Sequence, residues 1–362
     1  MPFLLAFILV ALANTNAHSC ILVGVLSAFW FWDDVVIGRR LLNFRRTKVL
    51  VCTFAFIGIG IFGAIATIIP DQDTIVTGAL SLKASQVIEA LWMNIKHPGE
   101  HFENIFYGLR VPLRDVLLWI LIAGLLIRIH AAASLFIGMV LLETFFTIVF
   151  PGSLRHQGIF IIFMISLYWI VRQKRPIRAK GKLIRYLHFV HKASVYIVLS
   201  AILIIHVKYA GNKIGIDISR EVSSSKAFGK FLETHSEYQE AIILGEPDYS
   251  LEALPYYVPN RIYIPREGRF RNFVMFTQAN KERLALGELL NIARQIRDSE
   301  RKPVLIALGN FDLSRHPPFE RRRWKLFTWS LEELADFRAG TVKVAEFKSA
   351  VTDENYEIYL LR

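Results

Sequence analysis

RQKRPIRAKGKLIRYLHFVHK, residues 172–192, carries eight Lys/Arg residues and no acid. The stretch lies between apolar runs at 157–171 and 194–210 that are candidates to enter a bilayer. Short loops rich in Lys and Arg stay on the cytoplasmic side of a membrane. The tract is therefore expected in the cytoplasm, with both flanking segments leaving it. Anionic lipid is an optional further partner, because the topological role alone accounts for the charge.

Working outward, 53% of the 362 residues are hydrophobic, and they are concentrated before residue 210. That composition predicts a polytopic membrane protein. The formal charge of +12 does not mark a nucleic-acid-binding surface. Residues 211–362 hold 23 basic and 22 acidic groups, against 20 and 9 in the earlier part. Thirteen of those twenty fall in the tract or at Arg39, Arg40, Arg45, Arg46 and Lys48, so the excess is topological and no nucleic acid is expected. Cys20 and Cys52 sit in separate apolar runs near opposite ends of their spans, which argues against a bridge. Met1 to Ala13 lacks a basic leader and reads as a membrane segment. Its shortness suggests the downstream part of a longer ancestor.

The expected architecture is an α-helical polytopic domain over 1–210 with about 6–7 spans, followed by a small soluble α/β domain over 211–362. The spans fall near 2–13, 17–32, 49–69, 112–127, 131–150, 157–171 and 194–210. Residues 111–150 are too long for one crossing; folding them back at Arg128 and His130 puts both basic loops on one side. On that parity the chain is a multi-pass protein of the inner or plasma membrane with an extracytoplasmic C-terminal domain. Asp33 and Asp34 fall on the cytoplasmic side.

Outward lie Asn14–Ser19, the loop 70–110, the turn 151–156 and everything after Ala210. The long loop contains Asp71, Asp73, Glu89, His97, Glu100, His101 and Glu103, with a helix expected over 84–95. It reads either as a solvated connector or as part of a site. In the C-terminal part, 241–244, 304–308, 261–264 and 273–276 read as strands, and the apolar residues of 285–296 as one face of a helix. Residues 342–347 and 356–360 form a closing hairpin around Thr352-Asp353-Glu354-Asn355.

Two motif matches carry no chemistry. Gly58-Ile59-Gly60-Ile61-Phe62-Gly63 fits a dinucleotide-binding glycine pattern but lies inside an apolar run, where close helix packing explains it. His188 and His191 lack a nearby carboxylate or thiol, so they read as interfacial side chains and no metal site is assigned. Nor is a cofactor. Arg321, Arg322 and Arg323 form a basic cluster whose acidic neighbour Glu320 favours a solvated surface over a glycan or lipid-phosphate contact.

Glu143 is an ionisable residue inside a span, and such groups are functional candidates by default. Two readings stay open: an ion pair with Arg155, or a functional carboxyl. Arg155 can clamp a phosphate and His156 can move a proton near neutral pH. Asn14, Asn16 and His18 reach the same outer level and extend this into a polar patch.

Ala13-Asn14-Thr15-Asn16-Ala17-His18-Ser19, Leu154-Arg155-His156-Gln157-Gly158 and Leu254-Pro255-Tyr256-Tyr257 resemble the downstream half of bacterial GT-C glycosyltransferase-like proteins. The resemblance implies sugar transfer from a polyprenyl-phosphate-linked donor at the outer face. Arg155, His156, Glu143, Asn16 and His18 would then bind substrate. The acidic motif of such proteins belongs in the first outward loop, which has none here. Asp71 and Asp73 are the conjectural base. The alternative is a truncated or non-catalytic relative whose C-terminal domain binds an envelope partner or glycan.

Overall fold

The computed structural model describes residues 2–33, 44–69, 73, 83–149, 152–173, 181–316, 318–322, 325–351 and 354–362. The chain divides into two compact units. The first is Met1–Gln72 with Val76–Gly211, and the second is Asp73–Ile75 with Asn212–Arg362.

The first unit is helical: α1 (Pro2–Ala13), α2 (Ala17–Phe31), α3 (Phe44–Ile68), α4 (Ala84–Lys96), α5 (Val111–Gly124), α6 (Ile129–Ile148), α7 (Leu154–Gln173) and α8 (Lys182–Ser219). Among the described residues, four helical stretches are long and apolar enough to cross a membrane: Thr47–Thr67, Val111–Ile148, Leu154–Gln173 and Lys182–Ser219. This is fewer than the six to seven expected. Val111–Ile148, expected as two spans, counts once here, and the other two losses are a matter of length, since a crossing needs about 30 Å of hydrocarbon. The 12 residues of α1 and 15 of α2 reach only about 18 and 22 Å at 1.5 Å per residue.

Val111–Ile148 is not one straight rod. A 3-10 turn at Leu126–Arg128 and an extended Arg128 (φ −135°, ψ 93°) break it. The Trp119 and Phe136 rings then stack at 5.7 Å, so α5 and α6 run back along each other. At the fold-back, the Asp33 carboxylate meets His130 Nε2 at 2.9 Å and Arg128 Nη1 at 3.8 Å. A buried acid with two basic partners ties the end of α2 to the start of α6.

In the glycine motif, a Cβ on Gly60 would come within 2.5 Å of the Val10 side chain, whereas Gly58 and Gly63 have open space. One glycine of the three therefore lets α1 and α3 touch, the small-residue packing common in membrane helices.

The second unit comprises α9 (Ser225–Thr234), β1 (Ile242–Glu246), β2 (Ile262–Ile264), β3 (Arg269–Phe270), β4 (Arg283–Ala285), α10 (Leu286–Glu300), β5 (Val304–Gly309), β6 (Phe319–Arg322), β7 (Lys325–Thr328), α11 (Leu331–Gly340), β8 (Thr341–Phe347) and β9 (Tyr356–Leu361). Six strands form one sheet in the order β3-β2-β1-β5-β9-β8, and β4-β7-β6 form a second. β2, β1 and β5 are parallel, while β8 and β9 make an antiparallel pair. The central strands read as unbroken apolar runs because both faces are covered. Ile242, Leu244, Val304 and Ile306 enter one core with α10 and α11, and Ile243, Leu305 and Ala307 enter another with Phe228 of α9. The strand expected at 273–276 is irregular chain. Arg321 lies on β6, its guanidinium 3.1 Å from Glu282; Arg323 is outside the described residues.

On the outer hairpin, Glu357 accepts hydrogen bonds from Tyr359 Oη (2.6 Å), Lys348 Nζ (2.9 Å) and Lys343 Nζ (3.0 Å). Burial pushes its carboxyl up, but these donors outweigh burial and hold it at about 2. An unfolded Glu titrates at about 4.3. The folded group is thus depressed, so its contribution is complete above the unfolded value and is lost as pH falls towards about 2. Melting temperature followed from pH 5 downward should fall more steeply in the native chain than in Glu357→Gln. Equal slopes would remove Glu357 from the acid response.

Candidate functional site

Polar side chains converge at the end of the first unit where α4, α6 and α7 meet the segment 97–110. Asn94 of α4 donates to Thr144 (3.3 Å) and Thr147 (3.1 Å) of α6, and Thr147 Oγ1 lies 2.9 Å from His101 Nε2. Asp115 at the start of α5 accepts from the Gly99 amide (2.7 Å), and Arg114 donates to the carbonyls of Leu109 (2.8 Å) and Glu100 (3.3 Å). Phe102, Ile105 and Phe106 are buried in the helical core. Residues 97–110 are therefore a plug in the end of the bundle and not a solvated connector. α4 forms where expected, with Ile88 and Trp92 exposed as on an interfacial helix.

Within this end lies a group of buried, incompletely bonded side chains. Glu143 is fully buried, and neither carboxyl oxygen makes a hydrogen bond among the described residues. The His101 amide approaches it, with Arg114, Asp115 and Glu100 in its electrostatic neighbourhood. No Glu143–Arg155 pair forms: Arg155 is exposed at the start of α7 while the carboxyl is enclosed. His18 is also buried, both ring nitrogens without a hydrogen bond among the described residues. Its ring stacks on His156 at 4.9 Å and meets Phe145 at 4.8 Å. Gln157 accepts from the Asn104 amide at 2.9 Å, but its Nε2 has no partner among the described residues. Each such group forfeits about 1–3 kcal/mol of solvation unless something meets it, so their clustering marks the place where a polar ligand group would be accepted.

His156 is pre-set. The Ser153 amide donates to its Nδ1 at 2.9 Å, so the neutral ring carries its proton on Nε2. The turn that presents Ser153 needs Gly152, whose φ of +72° favours glycine and whose Cβ would sit 2.8 Å from Phe146.

Beside this cluster runs an apolar groove of about 1050 Å³ between α2, α3 and α6, lined by Gly24, Val25, Ile61 and Leu141 among others. It reaches Ala17 and Phe145, the sequence neighbour of His18 and the ring that packs on it.

The remaining expected residues fall elsewhere. Asn16 caps α2, its Oδ1 accepting from the Ser19 amide at 2.8 Å, and Asn14 donates to the Val10 carbonyl at 2.8 Å. Together with the burial of His18, this replaces the expected surface patch by an internal cluster. Asp71 lies outside the described residues. Asp73 is exposed and grouped with the second unit, where its carbonyl accepts from the Gln278 amide. Gln157, Asn94 and His101 join the cluster without having been singled out as site residues. Gln157 stood in a quoted motif, and Asn94 was visible as an amide near the end of an amphipathic helix.

The second unit has its own buried charges. Arg266 grips Glu246 bidentately, at 2.9 Å and 2.7 Å, and Lys325 pairs with Asp248. They lie at the carboxyl end of β1, beside the β1/β5 switch point of the sheet, a usual ligand position in open α/β folds. Here the charges pair with each other, although Asp248 Oδ2 has no hydrogen-bond partner among the described residues.

Among the described residues, no group of three or more His, Cys, Asp or Glu is placed to hold a metal ion. No protein-family model, curated protein or solved structure matches the chain.

Proposed function

We propose that this is a multispanning cell-envelope protein that takes a polyprenyl-phosphate-type amphiphile, tail in the α2–α3–α6 groove and head at the His18–His156 end. The single observation that carries the reading is the adjacency of that groove to buried polar groups lacking partners. At about 1050 Å³ the groove matches or exceeds the roughly 300–1,000 Å³ of drug-sized sites, and a long apolar tail is the ligand chemistry that suits such a lining.

Lipid-linked sugar transfer of the GT-C-like kind is the activity this arrangement supports best. A phosphate head arriving from the bilayer would meet Arg155, exposed at the start of α7, and the Nε2–H of His156. Both can stabilise charge on a leaving phosphate. The membrane would be the inner or plasma membrane, with the second unit extracytoplasmic. The second reading, a non-catalytic component whose C-terminal unit binds an envelope partner or glycan, is favoured by one observation: Asn14–Ser19 holds no acid to serve as base.

Sugar transfer from polyprenyl-phosphate-linked donors by the full chain in bilayer discs separates the two. The enzyme reading expects turnover that drops by about 10²-fold in Arg155→Ala, the scale of losing one charge-stabilising donor, and Asp73→Asn tests the conjectural base. Turnover untouched by Arg155→Ala removes the site. Absence of turnover with retained lipid binding leaves the non-catalytic reading.

A further inference from the structure

We propose that the cleft between α7 and α8 is a binding site for one anionic phospholipid. The cleft, about 510 Å³, has Arg172, His191 and Lys192 in its lining together with apolar residues such as Leu199, and Trp169 and Tyr196 on its walls. Among the described residues, no acidic residue lines it, and neither the Arg172 nor the Lys192 side chain forms an ion pair or hydrogen bond. Two cations from different helices, twenty residues apart, thus converge without an anion.

The walls are preformed. His191 Nδ1 is tied to the Gly124 carbonyl at 2.9 Å, and its ring stacks on Tyr168 at 5.1 Å. The Tyr168 hydroxyl in turn lies 3.0 Å from Ser194 Oγ and donates to the Leu121 carbonyl. Gly124 makes this packing necessary and close, since a Cβ there would collide with both Ser194 and Tyr168. A cleft fixed by such contacts offers its ligand a defined shape, unlike loose surface charge.

Its chemistry is amphiphilic. Trp169 and Tyr196 are 61% and 72% exposed, as aromatic side chains are at the level of lipid headgroups. The cations suit a phosphodiester, with Arg172 able to donate two parallel hydrogen bonds. The apolar remainder suits an acyl chain, which a free phosphate would leave uncovered. The neighbouring basic tract adds a positive field that concentrates anionic lipid at this level. The inference is independent of the α2–α3–α6 groove.

Native mass spectrometry of the full chain, titrated with phosphatidylglycerol, phosphatidylcholine of the same chains, and inorganic phosphate, tests it. One phosphatidylglycerol should be retained at least about fivefold more tightly than phosphatidylcholine, about 1 kcal/mol, and millimolar phosphate should not displace it. Arg172→Gln with Lys192→Gln should bring the two lipids level. Lys182→Gln with Arg185→Gln, elsewhere on the same helix, should not. Leu199→Trp, which fills the apolar half and keeps the cations, should weaken both lipids and covers the case in which the charge variant fails to fold. Equal retention of the two lipids, selectivity surviving in the Arg172/Lys192 variant, an equal loss in the Lys182/Arg185 variant, or displacement by phosphate would each overturn the proposal.

Discussion

Arg266→Met should destabilise the second unit by about 3–5 kcal/mol, the cost of breaking a buried ion pair by removing one partner. The size follows from what the guanidinium holds. Besides Glu246, it donates to the carbonyls of Lys281 (2.8 Å), Glu282 (2.6 Å) and Leu326 (3.2 Å), which pins the six-stranded sheet to the β4–β7 sheet. Glu246 is 2% exposed, and burial already pushes its carboxyl up against the opposing pull of Arg266. Without Arg266 it would be enclosed beside Asp248 with its bidentate partner gone. Adding Glu246→Leu should recover part of the loss, by removing the stranded carboxyl, but not all of it, because the three carbonyls stay unmet. Denaturant unfolding followed by a probe in the second unit measures both. A single-variant loss under about 1 kcal/mol would mean that water reaches the pair.

Glu143→Leu should do the opposite to the first unit: raise its stability by about 1–3 kcal/mol, the solvation penalty of a buried unsatisfied group. It should also weaken binding of any head group at the His18–His156 end. Leu occupies a similar volume, and Thr144 and Thr147 keep their own partners, so little cavity or overpacking is expected. Gain of stability with loss of ligand is the pattern of a residue kept for function at a cost to folding. Thermal melts of the two proteins in the same detergent give the sign, and a lower melting temperature for Glu143→Leu would show that the carboxyl has a stabilising partner.

Much of the framework was legible in the chain because it depends on local pattern. Val304–Gly309 reads as a buried strand from its continuous apolar run, and the alternation of Tyr356–Leu361 reads as a strand with unequal faces. The turn at Arg128 followed from charge placement. What was not legible depends on partners far away in sequence. Phe102, Ile105 and Phe106 lie among Glu100, His101, Glu103 and Asn104, so composition alone reads loop; only the open end of the bundle makes them a plug. The strand β4 is three residues long, too short to show a period. The span count differed for a separate reason: α1 and α2 are apolar enough but stop short of a crossing, and Val111–Ile148 counts as one stretch.

The site shows the same division. Glu143 stood out as an ionisable group inside a span and His18 and His156 as polar groups at the outer level, and these three do enter the cluster. Asn16 stood out equally, yet it serves as a helix cap, a role that the sequence Asn16-Ala17-His18-Ser19 also permits. Polar residues flanking a helix start are ambiguous in this way; a polar residue enclosed within the bundle is not.

The central claim is that the α2–α3–α6 groove holds a long apolar tail. Gly24 lines that groove and has no atom within 4 Å of where its Cβ would be, so Gly24→Trp can fill the space without disturbing the backbone. The direct measurement is the affinity of the full chain, in bilayer discs of phosphatidylcholine, for a polyprenyl phosphate, compared with Gly24→Trp. One polyprenyl phosphate per chain, bound at least about tenfold, or 1.4 kcal/mol, more weakly by a variant of unchanged melting temperature, is the predicted result. Equal affinity in the two proteins would contradict it.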